Sequence, residues 1–299
     1  MRTRITIVIA TCALALTSFV AAPAPAGAAK DPFPVTVGTS NGKVRIDERP
    51  TRIVSLSATA TEMLFAIGAG KQVVAVDDQS DYPKGVPKTD LSGYTPNAEA
   101  IAGYKPDLVV ASDNTVTDAL KNLDITVLVE PAVNRLADAY DQIGQLGEAT
   151  GHTAKAEALE RRIKSQIADL HAKVRDRSSR PTAYYELDDT YFSASSKTFI
   201  GQVLGLAGLK NIADKVKDEN NDGYPQLTAE YIVGANPDYI FLADTKCCQQ
   251  SRKTVAARPG WSRITAVRKK HVVALDDDIA SRWGPRVVTL LRQVIDATK

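Results

Sequence analysis

The sequence predicts an α/β protein made of two similar lobes, each a parallel sheet covered by helices on both faces, joined by one long rigid α-helix. Three observations carry this prediction. A phrase occurs twice, as "AEAIAGYKPDLVVASD" (Ala98–Asp113) and "AEYIVGANPDYIFLAD" (Ala229–Asp244). Each copy runs into a continuously apolar stretch, the pattern of a parallel strand covered on both sides. Between the copies lies an amphipathic segment free of Gly and Pro. Self-similarity at a separation of roughly 130 residues reads as a duplicated unit.

The first 28 residues stand outside both lobes. Arg2 and Arg4 make a positive start, Ile5 to Val20 an apolar stretch, and "APAPAGAAK" a small-residue exit. That is the form of a cleaved export signal, with Ala-x-Ala ending at Ala26 and at Ala28. Cys12 falls inside it. Lipidation there is disfavoured, because the stretch between Arg4 and Cys12 is short for an apolar core. No other stretch is apolar for long enough to span a bilayer.

The first lobe is expected over residues 29–151. "RIVSL" (Arg52–Leu56) reads as a buried strand, and "SATATEMLFAIGAG" as a helix capped by Ser57 or Thr59. Asn97 then caps a short helix with Glu99 in its first turn, and Gly103 ends it. Pro106-Asp107 turns the chain into the strand Leu108–Ala111.

The linking helix is expected over residues 152–178. Ala156, Leu159, Ile163, Ile167, Leu170 and Val174 recur every three or four positions, and "SSRP" closes the run. At 1.5 Å per residue such a helix covers some 35 Å, enough to cross between lobes.

The second lobe, residues 179–299, repeats the order. "TAYYEL" reads as a strand, "KTFIGQVLGLAGLKNIA" as a helix, Thr228 as a cap before Glu230, and Tyr239–Ala243 as a strand after Pro237-Asp238. A last strand covers His271–Leu275. Alternating strands and helices of this kind mark the α/β class.

Charge excludes one class of partner. Without Arg2 and Arg4 the 37 basic residues become 35, equal to the 35 acidic ones, so nothing attracts nucleic acid. Motifs for catalysis are missing from the sequence: there is no Gly-x-Ser-x-Gly, phosphate loop or His-Glu-x-x-His. His152, His171 and His271 are scattered and read as solvated, not as metal ligands. Cys247 and Cys248 are adjacent, and two free or partly oxidised thiols are favoured over a strained vicinal disulfide.

In open α/β sheets ligands bind at the carboxyl ends of strands. Tyr82, Tyr94, Tyr185, Tyr191 and Tyr224 fall in or beside loops of that kind, where apolar faces and polar tips suit a large ligand. "DDDIASRWGPRV" follows the last strand and adds Asp278, Arg282 and Trp283. Ser57 and Asn114, at the ends of the first lobe's strands, complete the expected ligand-binding set.

"PTRIVSLSATATEMLFAIGAGKQVVAVDDQSDYPK", "NAEAIAGYKPDLVVAS", "YPQLTAEYIVGANPDYIFLAD" and "RPGWSRITAVRKKHVVAL" together resemble the substrate-binding proteins of ABC importers for iron–siderophores, haem and cobalamin. The resemblance covers nearly all of the mature chain. It implies two Rossmann-like lobes, a ligand held in the cleft between them with little hinge closure, an exported chain acting as a monomer, and no catalysis or intrinsic cofactor. It further implies that one glutamate per lobe docks onto a two-fold permease dimer, matching Glu99 and Glu230. Cobalamin binders place aromatics near Gly93-Tyr94 and Gly223-Tyr224, and an Asp/Arg pair near Asp278 and Arg282. This chain has Tyr where they have tryptophan. Haem stays open through Tyr94. Ferric siderophores stay open too, with Arg282, Arg286 and Lys246 the obvious cations. An exported α/β enzyme is the rival from another class.

Overall fold

The repeated phrase folds the same way twice. In a computed structural model, which describes residues 32–218, 220 and 222–299, Asn97 caps α2 (Ala98–Ala102), accepting from Ala100 N at 2.9 Å. Thr228 caps α7 (Ala229–Ala235), accepting from Tyr231 N at 3.1 Å. Strands β5 (Leu108–Ala111) and β9 (Tyr239–Leu242) follow, both buried throughout. The export signal expected over residues 1–28 lies outside the described residues.

The repeated Pro-Asp has a structural task. The Asp107 carboxylate accepts from Thr51 N at 2.8 Å, Thr51 Oγ1 at 3.0 Å and Arg52 N at 3.1 Å. Asp238 accepts from Thr182 N and Oγ1, both at 2.9 Å. Each carboxylate thus satisfies the start of the neighbouring strand, β3 (Ile53–Leu56) or β7 (Thr182–Glu186), and fixes its register against the strand that follows the Asp. "RPT" precedes both receiving strands, a second echo of the duplication.

Both sheets are parallel and share one strand order. The first sheet runs β4 (Val73–Val76), β3, β5, β6 (Thr126–Val129). The second runs β8 (Lys210–Asn211), β7, β9, β10 (Val272–Ala274). In each, the first strand of the chain lies between the second and third. "KTFIGQVLGLAGLKNIA" does not stay helical: α6 (Phe199–Leu206) ends before Gly208, whose φ of 78° breaks the helix, and β8 begins.

The side chains of each strand alternate between two apolar layers. Val54 and Val109 join one cluster, Ile53, Leu108 and Val110 another. Tyr184, Ile240 and Leu242 likewise face away from Tyr185, Tyr239 and Phe241. Each sheet is therefore the middle of three layers, as predicted.

The inner layer is common to both sheets. Its buried cluster includes α1 (Ala58–Ala66), α4 (Leu136–Thr150), α5 (Thr153–Ala172), α6 and α11 (Val287–Ala297). The predicted stripe on α5 is buried from Ala156 to Leu170. Yet α5 is no solitary strut. It packs along α4 on one side and against α11 on the other, with Gly147 so close to Ala156 that any side chain there would collide. A packed layer of helices, not one helix alone, connects the sheets.

A hairpin of β1 (Val35–Thr39) and β2 (Gly42–Ile46) docks its tip on β6, where Asn41 donates to Val127 O at 3.0 Å and accepts from Val129 N at 3.1 Å. This covers an otherwise open sheet edge. The remaining helices, α3 (Thr117–Lys121), α8 (Arg252–Ala257), α9 (Thr265–Arg268) and α10 (Asp277–Ser281), are short connections. Among the described residues no helix is long and apolar enough to cross a membrane.

Candidate ligand-binding site

A cavity of about 440 Å³ opens where the first sheet's strand ends meet the segment after β10. Ser57, Asp77, Tyr94 and Ser112 line it from the first half, and Asp278, Arg282 and Trp283 from the second.

Local folding explains each position. Ser57 ends β3 and caps α1, its Oγ accepting from Ala60 N at 3.3 Å. Tyr94 stands 83% exposed over the opening. Its neighbour Gly93 lies so close to the strands that a Cβ would sit 2.7 Å from Asp77 Oδ2 and 2.8 Å from Leu56 O, so only glycine fits. Asp276 caps α10 and brings Asp278 into the wall.

Asp77 is the least satisfied group of the site. It is buried, and its Oδ1 has no hydrogen-bond partner among the described residues. Burial raises its pKa, partly offset by the hydrogen bond from Ser80. The sequence reading missed it, although it follows an apolar strand in "VVAVDDQ", the same strand-end signal used for the tyrosines.

Arg282 lines the cavity, and four of its five N–H donors are held by protein groups. Its Nη1 donates to Glu62 Oε1 and Asp81 Oδ1, both at 3.0 Å. Its Nη2 donates to Gln79 O at 2.8 Å and Asp278 Oδ1 at 3.0 Å. Arg286 donates to Glu62 Oε2 through Nε at 2.9 Å and to Oε1 through Nη2 at 2.6 Å. Glu62, on α1 and only 2% exposed, therefore balances two guanidinium groups from the other half. Trp283 adds a bond from Nε1 to Gln142 Oε1 of α4 at 2.8 Å.

Other expected site residues lie elsewhere. Tyr82 packs its ring 4.4 Å under the Arg286 guanidinium, outside the cavity lining. Asn114 is exposed, and its carbonyl accepts from Thr117 N. Tyr185 does not reach the cleft. Its strand position points it into the inner apolar layer, fully buried, where its hydroxyl donates to Ala280 O at 2.9 Å. Tyr224 is half-buried against the same layer, and Tyr191 stacks on Trp261 on the opposite face. The strand-end rule points to the end of the first sheet where this cavity opens, but not to which side chains of a strand face the loops.

Glu99 and Glu230 are both exposed and occupy the second position of their helices. Among the described residues neither forms an ion pair. No cluster of three or more His, Cys, Asp or Glu suited to a metal occurs among the described residues.

Comparison with known proteins places this geometry. The chain is 33% identical over 277 residues to an uncharacterised ABC transporter substrate-binding lipoprotein of Bacillus subtilis, covering 89% of this chain and 85% of that one. It is 31% identical over 276 residues to a cobalamin-binding protein of Halobacterium salinarum, covering 89% and 74%. The crystal structure of a possible iron-binding (periplasmic solute-binding) protein of Staphylococcus epidermidis superposes with a TM-score of 0.73 at 25% identity, over 84% of this chain and 99% of the other. Residues 53–279 match the model of the periplasmic binding protein family. With that match spanning both sheets and the cleft, the chain belongs to the periplasmic binding protein family, as an exported substrate-binding protein of the ABC-transporter type.

Proposed function

We propose that this protein captures a corrinoid in the cleft and delivers it to a membrane permease, acting as a monomer. The observation that carries the ligand class is the state of Arg282. It is the one cation among the described residues lining the cavity, and four protein acceptors already hold its two terminal nitrogens. Lys246 is likewise held, by Asp278 at 2.5 Å and Asp276 at 3.2 Å. A catecholate chelate or a haem propionate needs uncommitted Arg or Lys. This cleft offers acceptors instead: Asp77, whose Oδ1 is unpartnered among the described residues, and Ser57, with Tyr94 and Trp283 as apolar faces. A ring rimmed with neutral amide N–H donors suits that set. Relatives named for cobalamin or vitamin B12 support the same reading.

In this reading Tyr94, Trp283, Ser57 and Asp278 contact the ligand, while Glu99 and Glu230 meet the permease. Calorimetric titration with cyanocobalamin, haemin and a ferric hydroxamate tests it. Cyanocobalamin is expected to bind most tightly; tight haemin or siderophore binding without cobalamin binding would overturn the assignment.

The exposed phenol of Tyr94 favours a second reading, an axial ligand to haem iron. A haemin absorbance shift that disappears in Tyr94→Phe would support it.

A further inference from the structure

The turn after β9 sets Cys247 and Cys248 side by side. Consecutive side chains in a strand or helix point apart, but these two Sγ atoms lie 2.6 Å from each other, closer than unbonded sulfurs rest. The cause lies outside the turn, in Asp277 of α10. Its Oδ1 accepts from Thr245 N at 2.9 Å and Thr245 Oγ1 at 2.6 Å. Its Oδ2 accepts from Lys246 N at 2.8 Å and Cys247 N at 3.2 Å. Three successive backbone N–H groups thus converge on one carboxylate. The Asp244 carbonyl accepts from Cys248 N and Gln250 N, and Gln249 takes a left-handed φ of 55° to complete the turn.

Both cysteines are free thiols in this structure, Cys247 exposed and Cys248 half-buried. Neither lines the cavity, although the adjacent Lys246 pairs with Asp278 of its wall.

We propose that Cys247 and Cys248 form an oxidisable modification site, a dithiol that closes into a vicinal disulfide by exchange with a small-molecule disulfide. An exported protein meets such oxidants routinely. In the first step the thiolate of one cysteine attacks the disulfide RSSR, forming Cys–S–SR and releasing RS⁻, which takes up the proton that this cysteine lost. In the second, the thiolate of the other cysteine attacks the protein sulfur of the mixed disulfide, and RS⁻ leaves and takes up the second proton. Two thiols and one disulfide become one ring and two RSH.

Either sulfur can take the first step, since the turn holds the two side by side and Cys247 is exposed. Desolvation, the hydrogen bond and charge of Cys248, and the carboxylates of Asp277 and Asp244 raise the Cys247 thiol. Asp277 is the positioning residue, since it holds the turn in which both sulfurs meet.

The test uses the reduced full-length mature protein and oxidised glutathione, with intact mass and thiol titration after unfolding. The expected product is lighter by two hydrogens, has lost both titratable thiols and retains no glutathione. A stable glutathione adduct, a covalent dimer or two surviving thiols would overturn the proposal. Cys247→Ser and Cys248→Ser should each trap glutathione on the remaining cysteine; no adduct on either would overturn the exchange route. Asp277→Ala should slow ring closure at least tenfold and let the mixed disulfide accumulate, while closure at the wild-type rate would remove Asp277 from the account. None of these readouts depends on which ligand fills the cleft.

Discussion

Glu62 and Arg286 form a two-point ion pair, Nε to Oε2 at 2.9 Å and Nη2 to Oε1 at 2.6 Å, that ties α1 of the first half to the segment before α11 of the second. Glu62 also accepts from Arg282, so one buried carboxylate serves two cations. Removing the carboxylate would leave two guanidinium groups facing each other in a largely dry place. Breaking a buried pair by deleting one partner costs roughly 3–5 kcal/mol. Glu62→Ala is therefore expected to lower the urea midpoint sharply, and Arg282→Ala to do so by less, because Arg286 remains on Glu62. A Glu62→Ala midpoint equal to wild type would show that the pair holds nothing together.

Tyr94 makes the contrasting case. It is 83% exposed and packs against little, so its removal should leave the melting temperature unchanged within a degree or so. Losing an aromatic anchor commonly costs about 1–3 kcal/mol of binding, roughly five- to 150-fold in Kd. Tyr94→Ala is expected to weaken cyanocobalamin binding by that factor in calorimetry. Unchanged affinity would move the ligand away from the Gly93-Tyr94 wall.

The two residues mark what could be read from the sequence. The fold was legible because its signals are local. "PDLVVA" and "PDYIFL" are strands by composition alone, Asn97 and Thr228 announce their helices, and the α5 stripe repeats every three or four residues. The site was only partly legible. Ser57, Tyr94, Asp278, Arg282 and Trp283 line the cavity as the strand-end rule suggested. Whether an arginine there faces a ligand or a protein carboxylate depends on Glu62, more than two hundred positions away in the sequence. Tyr185 lies outside the cavity for a related reason: β7 is covered on both faces, so a tyrosine within the strand is buried whichever way it points, and its neighbour Tyr184 is buried on the other side.

Glu99 and Glu230 test the reading of the duplication. Both head short helices on the outer surface and lie outside the cleft lining. A glutamate in the first helical turn contributes about 0.3–1 kcal/mol through the helix dipole, too little for a double substitution to threaten folding. Glu99→Ala with Glu230→Ala should keep ligand affinity and the melting temperature, yet reduce uptake in vesicles containing the cognate permease. Normal uptake would leave the glutamates with helix capping alone.

Glu130 supplies a prediction about pH. It follows β6, is 3% exposed, and its Oε1 has no hydrogen-bond partner among the described residues. Desolvation pushes its pKa from 4.5 to about 8, so the folded protein keeps it neutral at pH 7. The unfolded chain ionises it near its ordinary value. Below that value both states hold the proton, and the folded state suffers no penalty. As pH rises toward 8, unfolding releases a proton and stability falls by about 1.4 kcal/mol per unit. Above 8 the folded carboxyl is ionised too and the loss levels off, at a total on the order of 5 kcal/mol. Glu130→Gln keeps the shape and removes the titration. Asp77 and Asp244, whose pKa values are also raised, remain in both proteins, so the difference between the two stability curves isolates Glu130. Urea midpoints taken from pH 4.5 to 8.5 should diverge steadily, with the Gln variant the more stable at the alkaline end. Parallel curves across that range would mean that Glu130 is solvated in solution and carries an ordinary pKa.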